Sequence, residues 1–564
     1  MENSKWRGMP FYDRPLGKVT EGIDDGREVV TITDFSNCTP SEHISDEADL
    51  NRWQVMDYRT DELEGNLLYA ANNNPAPDIT LQLNVSGWYA VYLWLMGSDS
   101  GIPKFHHDYD CTYSMSDGPA LKLTNDKRFH YRFRTLTQED LKAPGIEGCF
   151  WRYVDLAGQS LTIRHQGNTV WLAAIQLIPL SPAEVEAVQR DKEDKSLKRL
   201  IVKGDHYSPV QIERFAEQLR DTDVGGWIMG WENSGDGMRP EGSKSFRRLR
   251  ECCSEIGAEA YICDRPGLWS SFQFRDEPRF MWFQQHPEYH CKSSDGTDNC
   301  ACSYAIPEVQ DYMLDRVRSA ARVGPDGFGY FFNRDPHSLV MFEEAAIAGF
   351  EEKHGVDPLT LSERDDRLVR WRMDIINGYM RRVRQTLDEV AEEKGYKRIK
   401  MIHSVLGNEA ANYYACLDIP TWVKEGLVDI LMPYPFNDYP EWWLGQGYVE
   451  TDVKYFASLV KETDCKLVPM WLTNMYRGGW VREHVRWNEF FKKAIQDYAD
   501  GADGLTGWDH TGLHTMFTGD RWLRLGHKDK LEEWAKEDVP VPPFQLLRRL
   551  GGGGVRRLPP GSGG

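Results

Sequence analysis

The sequence predicts a mixed α/β protein in which an antiparallel, jelly-roll-like β-sandwich precedes a closed (β/α)8 TIM barrel. Three observations predict it. The hydrophobic period is two from Val29 to Leu180 and changes afterwards. From Arg199 onward, eight short apolar runs, each ending in polar residues, are separated by helical sequence, and eight parallel strands close a barrel. The glycine-rich fingerprint of an open dinucleotide-binding sheet is missing after the first run, where Gly204-Asp205-His206-Tyr207 stands.

At 564 residues the chain exceeds one ordinary core, and a sandwich of about 150 residues plus a barrel of roughly 340 fits that length. Residues 1–27 read as a polar N-terminal extension, 28–180 as the sandwich, 181–198 as a linker and 199–540 as the barrel. Residues 541–564, ending in glycine, proline and arginine, read as a disordered tail. No apolar run approaches the ~18 residues of a membrane span, and the N-terminus lacks a signal pattern. A soluble chain is expected, cytoplasmic, or periplasmic or secreted if a signal has been removed. The net charge of −20 argues against nucleic-acid binding, which clusters Lys and Arg against phosphates, and favours a neutral or weakly charged ligand. Eleven scattered cysteines read as mostly reduced thiols; Cys291, Cys300 and Cys302 lack the paired spacing of a zinc site, although a local disulfide among them stays open. No metal and no cofactor is expected.

Within the sandwich, Ile79 to Val85 alternates without a fault, and Ser86-Gly87 turns into Trp88 to Leu95 as the second strand of a predicted hairpin. Thr112–Met115, Leu161–His165 and Val170–Leu180 continue the pattern. The run His106-His107-Asp108-Tyr109-Asp110 reads as a solvated loop rather than a metal site. Ser181-Pro-Ala-Glu opens a capped linker helix. Beyond it, Val309, Met313 and Val317 share one helix face, and Leu368, Trp371, Ile375, Tyr379, Val383 and Leu387 form a stripe at spacings of three and four.

The carboxyl ends of a parallel barrel's strands converge on one site, so they are the place to look for chemistry. In order they offer Asp205 and His206; Trp231, Glu232 and Asn233; Asp264 and Arg265; Asn333, Arg334 and Asp335; His403, Asn408 and Glu409; Tyr434, Asn437 and Asp438; Trp471 and Asn474; Trp508, Asp509 and His510. Glycoside cleavage needs two carboxyl groups flanking the bond, one protonated to donate to the leaving oxygen and one ionised to attack or to activate water. Aromatic faces stack on sugar rings, and 20 tryptophans with 25 tyrosines supply them in surplus. A metal-dependent hydrolase, with Asp205, His206 and His510 as ligands, ranks second, because the His-x-His pair typical after a barrel's first strand is absent.

Several stretches resemble the family-10-like glycosyl hydrolase barrels of bacteria: Gln285-His-Pro-Glu-Tyr289, the helix from Ile306-Pro-Glu-Val, the strand opening Asp326-Gly327, Trp371-Arg372, and Asp418-Ile-Pro-Thr-Trp-Val-Lys-Glu-Gly-Leu-Val-Asp-Ile-Leu-Met-Pro433. The resemblance covers about residues 200 to 515 and implies a (β/α)8 fold acting on a carbohydrate, a polysaccharide or oligosaccharide. Such proteins place an acidic pair directly at the end of the fourth strand, whereas here Phe331-Phe332 stands there and Asp335 follows three residues later. By that analogy Asp335 is the first choice as nucleophile or base, its other reading being the N-cap of the next helix with Pro336 behind it. Glu232 is the choice for general acid, since Trp231 beside it lowers the local dielectric and favours the protonated form. Asp509 rivals both, unless it only orients His510. Asp205, His206, Trp231, Asp264, Asn333, Arg334, His403, Tyr434, Trp471, Trp508 and His510 are the candidate substrate contacts, and Glu343 and Glu344 are expected to face solvent. A non-catalytic sugar-binding barrel is the remaining alternative.

Overall fold

Short apolar runs bounded by polar turns satisfy their backbone groups most simply by pairing edge to edge, and the second half of this chain does so in parallel. The computed structural model describes residues 27–47, 49, 51–70, 76–96, 145–165, 170–203, 209–220, 222–230, 244–267, 269, 278–333, 339–435, 451–472, 487–508, 525–536 and 544–551, with the strands Trp6–Arg7, Pro15–Leu16, Tyr109–Met115 and Leu121–Asn125 besides. The barrel strands are β1 (Leu200–Lys203), β2 (Val224–Gly230), β3 (Glu259–Asp264), β4 (Gly327–Phe331), β5 (Lys400–Leu406), β6 (Ile430–Tyr434), β7 (Lys466–Leu467 and Met470–Leu472) and β8 (Leu505–Trp508). Each pairs in parallel with its neighbours. The seventh breaks at Val468-Pro469, its first segment pairing with β6 and its second with β8, and β8 pairs with β1, so the sheet closes on itself. All eight predicted runs are therefore strands of one (β/α)8 barrel.

Side chains alternate across the pleat and sort into two sets. Val202, Met229, Ile262, Tyr330, Met401 and Leu431 pack outward against the helices, while Ile201, Ile228, Tyr261, Cys263, Phe331, Ile402, Met432, Tyr434, Val468 and Met470 fill the lumen. The helices are α1 (Pro182–Glu193), α2 (Pro209–Leu219), α3 (Lys244–Ile256), α4 (Pro278–Gln285), α5 (Pro307–Arg322), α6 (Glu344–His354), α7 (Asp366–Lys394), α8 (Glu409–Tyr414), α9 (Ile419–Lys424), α10 (Val453–Val460), α11 (Trp487–Ala499) and α12 (Leu531–Lys536). The two predicted apolar stripes face the barrel: Val309, Met313 and Val317 of α5, and Leu368, Trp371, Tyr379, Val383 and Leu387 of α7, are buried, and Ile375 is half-buried. Among the described residues no helix is long and apolar enough to cross a membrane.

One close approach in the barrel wall requires glycine. A Cβ on Gly329 of β4 would collide with the carbonyl oxygen of Ile402 on β5, which is backbone and cannot turn aside. Gly329→Ala is expected to force β4 and β5 of the closed sheet apart and abolish soluble expression, while Gly378→Ala in α7, where a Cβ meets nothing within 4 Å, is tolerated; solubility and thermal melting of the two variants check this.

The N-terminal unit packs two sheets, antiparallel except where Ile44–Ser45 runs parallel to Trp53–Gln54, over a shared core of Trp53, Leu68, Ile79, Leu93, Ile163 and Ile175. The predicted hairpin across Ser86-Gly87 is not one. Ile79–Gln82 pairs with Ser160–Ile163 in the smaller sheet, whereas Trp88–Met96 pairs with Gly145–Asp155 and with Val170–Pro179 in the larger. Alternation reports that a segment is half-buried, not which segment lies beside it, and Gly87, at φ +101°, carries the chain between sheets. The segment from 541, expected to be structureless, also returns to this unit: Phe544–Leu546 pairs with Gly145–Glu147, and Arg549–Leu550 with Tyr58–Arg59.

Between the halves, α1 begins as its sequence predicts. The Glu184 N–H donates to Ser181 Oγ at 3.3 Å, and the Ser181 N–H donates to Glu184 Oε2 at 2.6 Å, closing a capping box. Cys291 and Cys302 are buried free thiols and Cys300 an exposed one.

Candidate active site at the carboxyl end of the barrel

The lumen ends, below the mouth, in polar side chains. Following the alternation, Lys203 of β1, Ser404 of β5 and Thr506 of β8 point inward with the lumen cluster, and Asn333 lies two residues beyond Phe331, on the same side of the chain. All four are buried, Asn333, Ser404 and Thr506 completely. Ser404 Oγ donates to Asn333 Oδ1 at 2.7 Å and lies 3.2 Å from Met470 Sδ, a contact that crosses the lumen from β5 to β7. Lys203 Nζ stands 5.9 Å over the Phe331 ring, which links β1 to β4 across the lumen. Asn333 Nδ2 has no hydrogen-bond partner among the described residues. A buried amide end of this kind costs about 1–3 kcal/mol unless an internal water meets it. Lys203, Ser404 and Thr506 are not among the residues the sequence singles out, although a lysine at an inward position of a strand otherwise apolar is a usable signal.

The structure redistributes the other candidates. Asp264 is 1% exposed and faces the helical layer, not the lumen. Its Oδ1 lies 3.3 Å from Arg279 Nη1 of α4, its Oδ2 accepts from Arg316 Nε of α5 at 3.2 Å, and Oδ1 also accepts the Arg265 N–H at 2.8 Å. Burial opposes its charge, but the two guanidinium groups outweigh burial and hold the carboxyl below its usual range. It is a structural ion: the last residue of a strand faces the mouth only when its parity matches the lumen, and that of Asp264 does not.

His403 shares that fate, since it lies between Met401 and Val405 in phase and its ring packs on Tyr330, Phe332 and Trp422 in the outer layer. Its Nδ1 accepts the Tyr330 N–H at 3.1 Å, so it reads no sugar hydroxyl. Burial pushes it down to about 3, against an ordinary value near 6.5. A group depressed on folding contributes stability that is complete above its unfolded pKa and is lost as pH falls toward the folded one. The wild type should therefore lose up to ~1.4 kcal/mol per pH unit from this ring between about pH 6.5 and 3, and His403→Gln should lack that slope. Urea midpoints measured at intervals across the window test it.

Trp471 is also turned outward: it is buried, its Nε1 donates to Asp497 Oδ2 of α11 at 2.7 Å, and Lys493 completes the group at 3.0 Å from Asp497 Oδ1. Tyr434 does face the lumen but is only 2% exposed, which leaves no open face for a sugar ring. Glu343, expected in solvent, is buried. It accepts from the Ser303 hydroxyl and, at 3.2 Å, from the Met341 N–H, and burial raises it above the ordinary glutamate range. Glu343 also occupies the N-cap position of α6, while Glu344 is exposed as expected. Trp508 ends β8 opposite Leu472. Asp205, His206, Trp231, Glu232, Arg334, Asp335, Asp509 and His510 lie outside the described residues, as do His106 to Asp108. Among the described residues no group of three His, Cys, Asp or Glu side chains is placed to hold a metal ion.

Together these features define a (β/α)8 barrel whose lumen ends in buried polar side chains, with an antiparallel sandwich before it in the chain. No protein-family model matches the sequence, and no curated protein does. Solved structures overlap it at low identity. They include a β-galactosidase from the psychrophilic Marinomonas ef1, 11% identical over 60% of this chain and 59% of that one, with a TM-score of 0.44. An α-L-fucosidase isoenzyme from Paenibacillus thiaminolyticus is 13% identical over 60% of this chain and 50% of its own, at 0.39. A glycoside hydrolase domain from Bordetella bronchiseptica is 11% identical over 60% of this chain and 98% of its own, at 0.40. The chain thus spans 59% and 50% of the lengths of the first two enzymes, and the barrel stands on its own strand pairing rather than on these overlaps.

Proposed function

We propose that the protein is a glycoside hydrolase that cleaves a polysaccharide or oligosaccharide at the carboxyl end of its barrel by paired carboxylate catalysis. The observation that carries the reading is the floor: a buried Asn333 amide with an unpaired end, held by Ser404, at the end of the strand that leads into Arg334 and Asp335. The amide is buried, so it supports a hydroxyl-rich ligand at the mouth through a bridging water. In this reading Asp335 acts as nucleophile or base, Glu232 as general acid, and Asp509 supports or replaces one of them. Asp205, His206, Trp231, Arg334, Trp508 and His510 contact the substrate, and no cofactor is required.

The test is release of reducing ends from a panel of plant and marine glycans, followed by Glu232→Gln, Asp335→Asn and Asp509→Asn on whichever glycan is cut. Binding of that glycan with no turnover by the unmutated chain would favour a sugar-binding protein instead, and loss of turnover on chelation would favour a metal-dependent hydrolase.

A further inference from the structure

Outside the lumen, a cavity of about 640 Å³ opens on the rim, bordered by α6, α7, α8, α9 and α10. It lies on the mouth side of the barrel. Helix α8 opens at Glu409, just past the end of β5 at Leu406, and α7 begins at Asp366, the opposite end from Lys394, which leads back to the start of β5. The volume falls within the ~300–1,000 Å³ of ligand pockets.

Its walls combine rings with hydrogen-bonding groups. Trp371, Tyr413 and Tyr455 contribute the rings, the two tyrosines half-exposed. The Tyr455 hydroxyl is pushed up to about 12 by burial, reinforced by the negative charge of Glu409, Asp418 and Asp452, so it stays a donor. The cations of the groove are engaged close by: Lys353 Nζ lies 2.7 Å from Asp374, Arg370 Nε 2.7 Å from Asp366, and Arg367 Nη2 2.8 Å from Asp365. Glu409 is exposed, and Asp418 accepts from Asn377 Nδ2 at 2.8 Å. His354 Nε2 is buried at the wall without a partner among the described residues.

This balance selects the ligand. The lining carries four carboxylates, Asp366, Asp374, Glu409 and Asp418, against three basic side chains that are each paired, so an anion is disfavoured. A neutral molecule rich in hydroxyls and C–H faces meets no such obstacle, and can stack on Tyr455 and on the face of Tyr413 away from Arg370 while its hydroxyls reach Glu409 and Asp418. We propose that the rim groove is an accessory binding site for a neutral polysaccharide strand, separate from the mouth. It takes from the functional reading above only the class of ligand.

The whole chain should be run in native gels cast with hydroxyethylcellulose, xylan, galactomannan or alginate. At least one neutral polymer is expected to retard it, and Tyr413→Ala/Tyr455→Ala to weaken that retardation about tenfold, two stacked rings being lost. Glu409→Arg, at an exposed position, is expected to weaken it severalfold. Retardation by alginate alone, by no neutral polymer, or equally in wild type and both variants overturns the proposal. Retardation without hydrolysis of any glycan would sink the enzyme reading and leave the rim site standing; hydrolysis of short oligosaccharides without retardation would do the reverse.

Discussion

Asp335→Asn is expected to lower kcat on the hydrolysed glycan about 1,000-fold or more, with KM changed far less. The reason is chemical. Asparagine keeps the size and polarity of the side chain, so ground-state contacts survive, but it can neither attack the anomeric carbon nor take a proton from water. Glu232→Gln should behave differently. A general acid matters in proportion to the poorness of the leaving group, so the loss should be large for a sugar leaving group and small for a nitrophenolate, which departs without a proton. If Asp509→Asn shows the Asp335 pattern and Asp335→Asn does not, the two acids exchange roles. Stereochemistry of the product then reports their spacing, with retention requiring about 5–5.5 Å between carboxyl groups and inversion about 6.5–9.5 Å.

Asp264→Asn is expected to cost about 3–5 kcal/mol of stability while leaving KM and kcat of the surviving folded protein intact. The carboxylate at the end of β3 is 1% exposed and meets two guanidinium groups, Arg279 on α4 and Arg316 on α5. Removing its charge leaves both cations facing a neutral amide where water does not reach. The pH dependence has a definite sign. This carboxyl is depressed on folding, so its contribution is present above the unfolded value near 4 and is lost as pH falls through the lower folded one. Urea denaturation of wild type and variant should therefore differ fully at pH 7 and converge in the acid range. A change in KM instead would return Asp264 to the site.

What was legible, and what was not, follows the same division. The eight apolar runs between helical stripes specified the barrel, because each run is long enough for one buried strand and the helices hide the outer faces. Their polar ends marked the mouth as a region. Parity within a strand was harder. Asp264 ends β3, Trp471 lies in the last segment of β7 and His403 in the middle of β5, yet each is one residue out of phase with the lumen and belongs to the helical layer. Lys203 and Ser404, in phase, are masked in the sequence by their hydrophobic neighbours.

By itself the sequence determined the repeating units of this protein: strand lengths, helix faces, the Ser181 capping box and the gathering of acids and aromatics after the barrel strands. These depend on neighbours a few residues away, which a linear pattern records. Only the tertiary structure decided which sheet takes Ile79–Gln82 and which takes Trp88–Met96, that Phe544–Leu546 returns to the first domain, that Asp264 is held between two arginines, and that Asn333 rests on Ser404 beneath the mouth. Those outcomes turn on partners tens to hundreds of residues away, chosen by closure of the sheet and by the cost of burying charge, and no local periodicity encodes them.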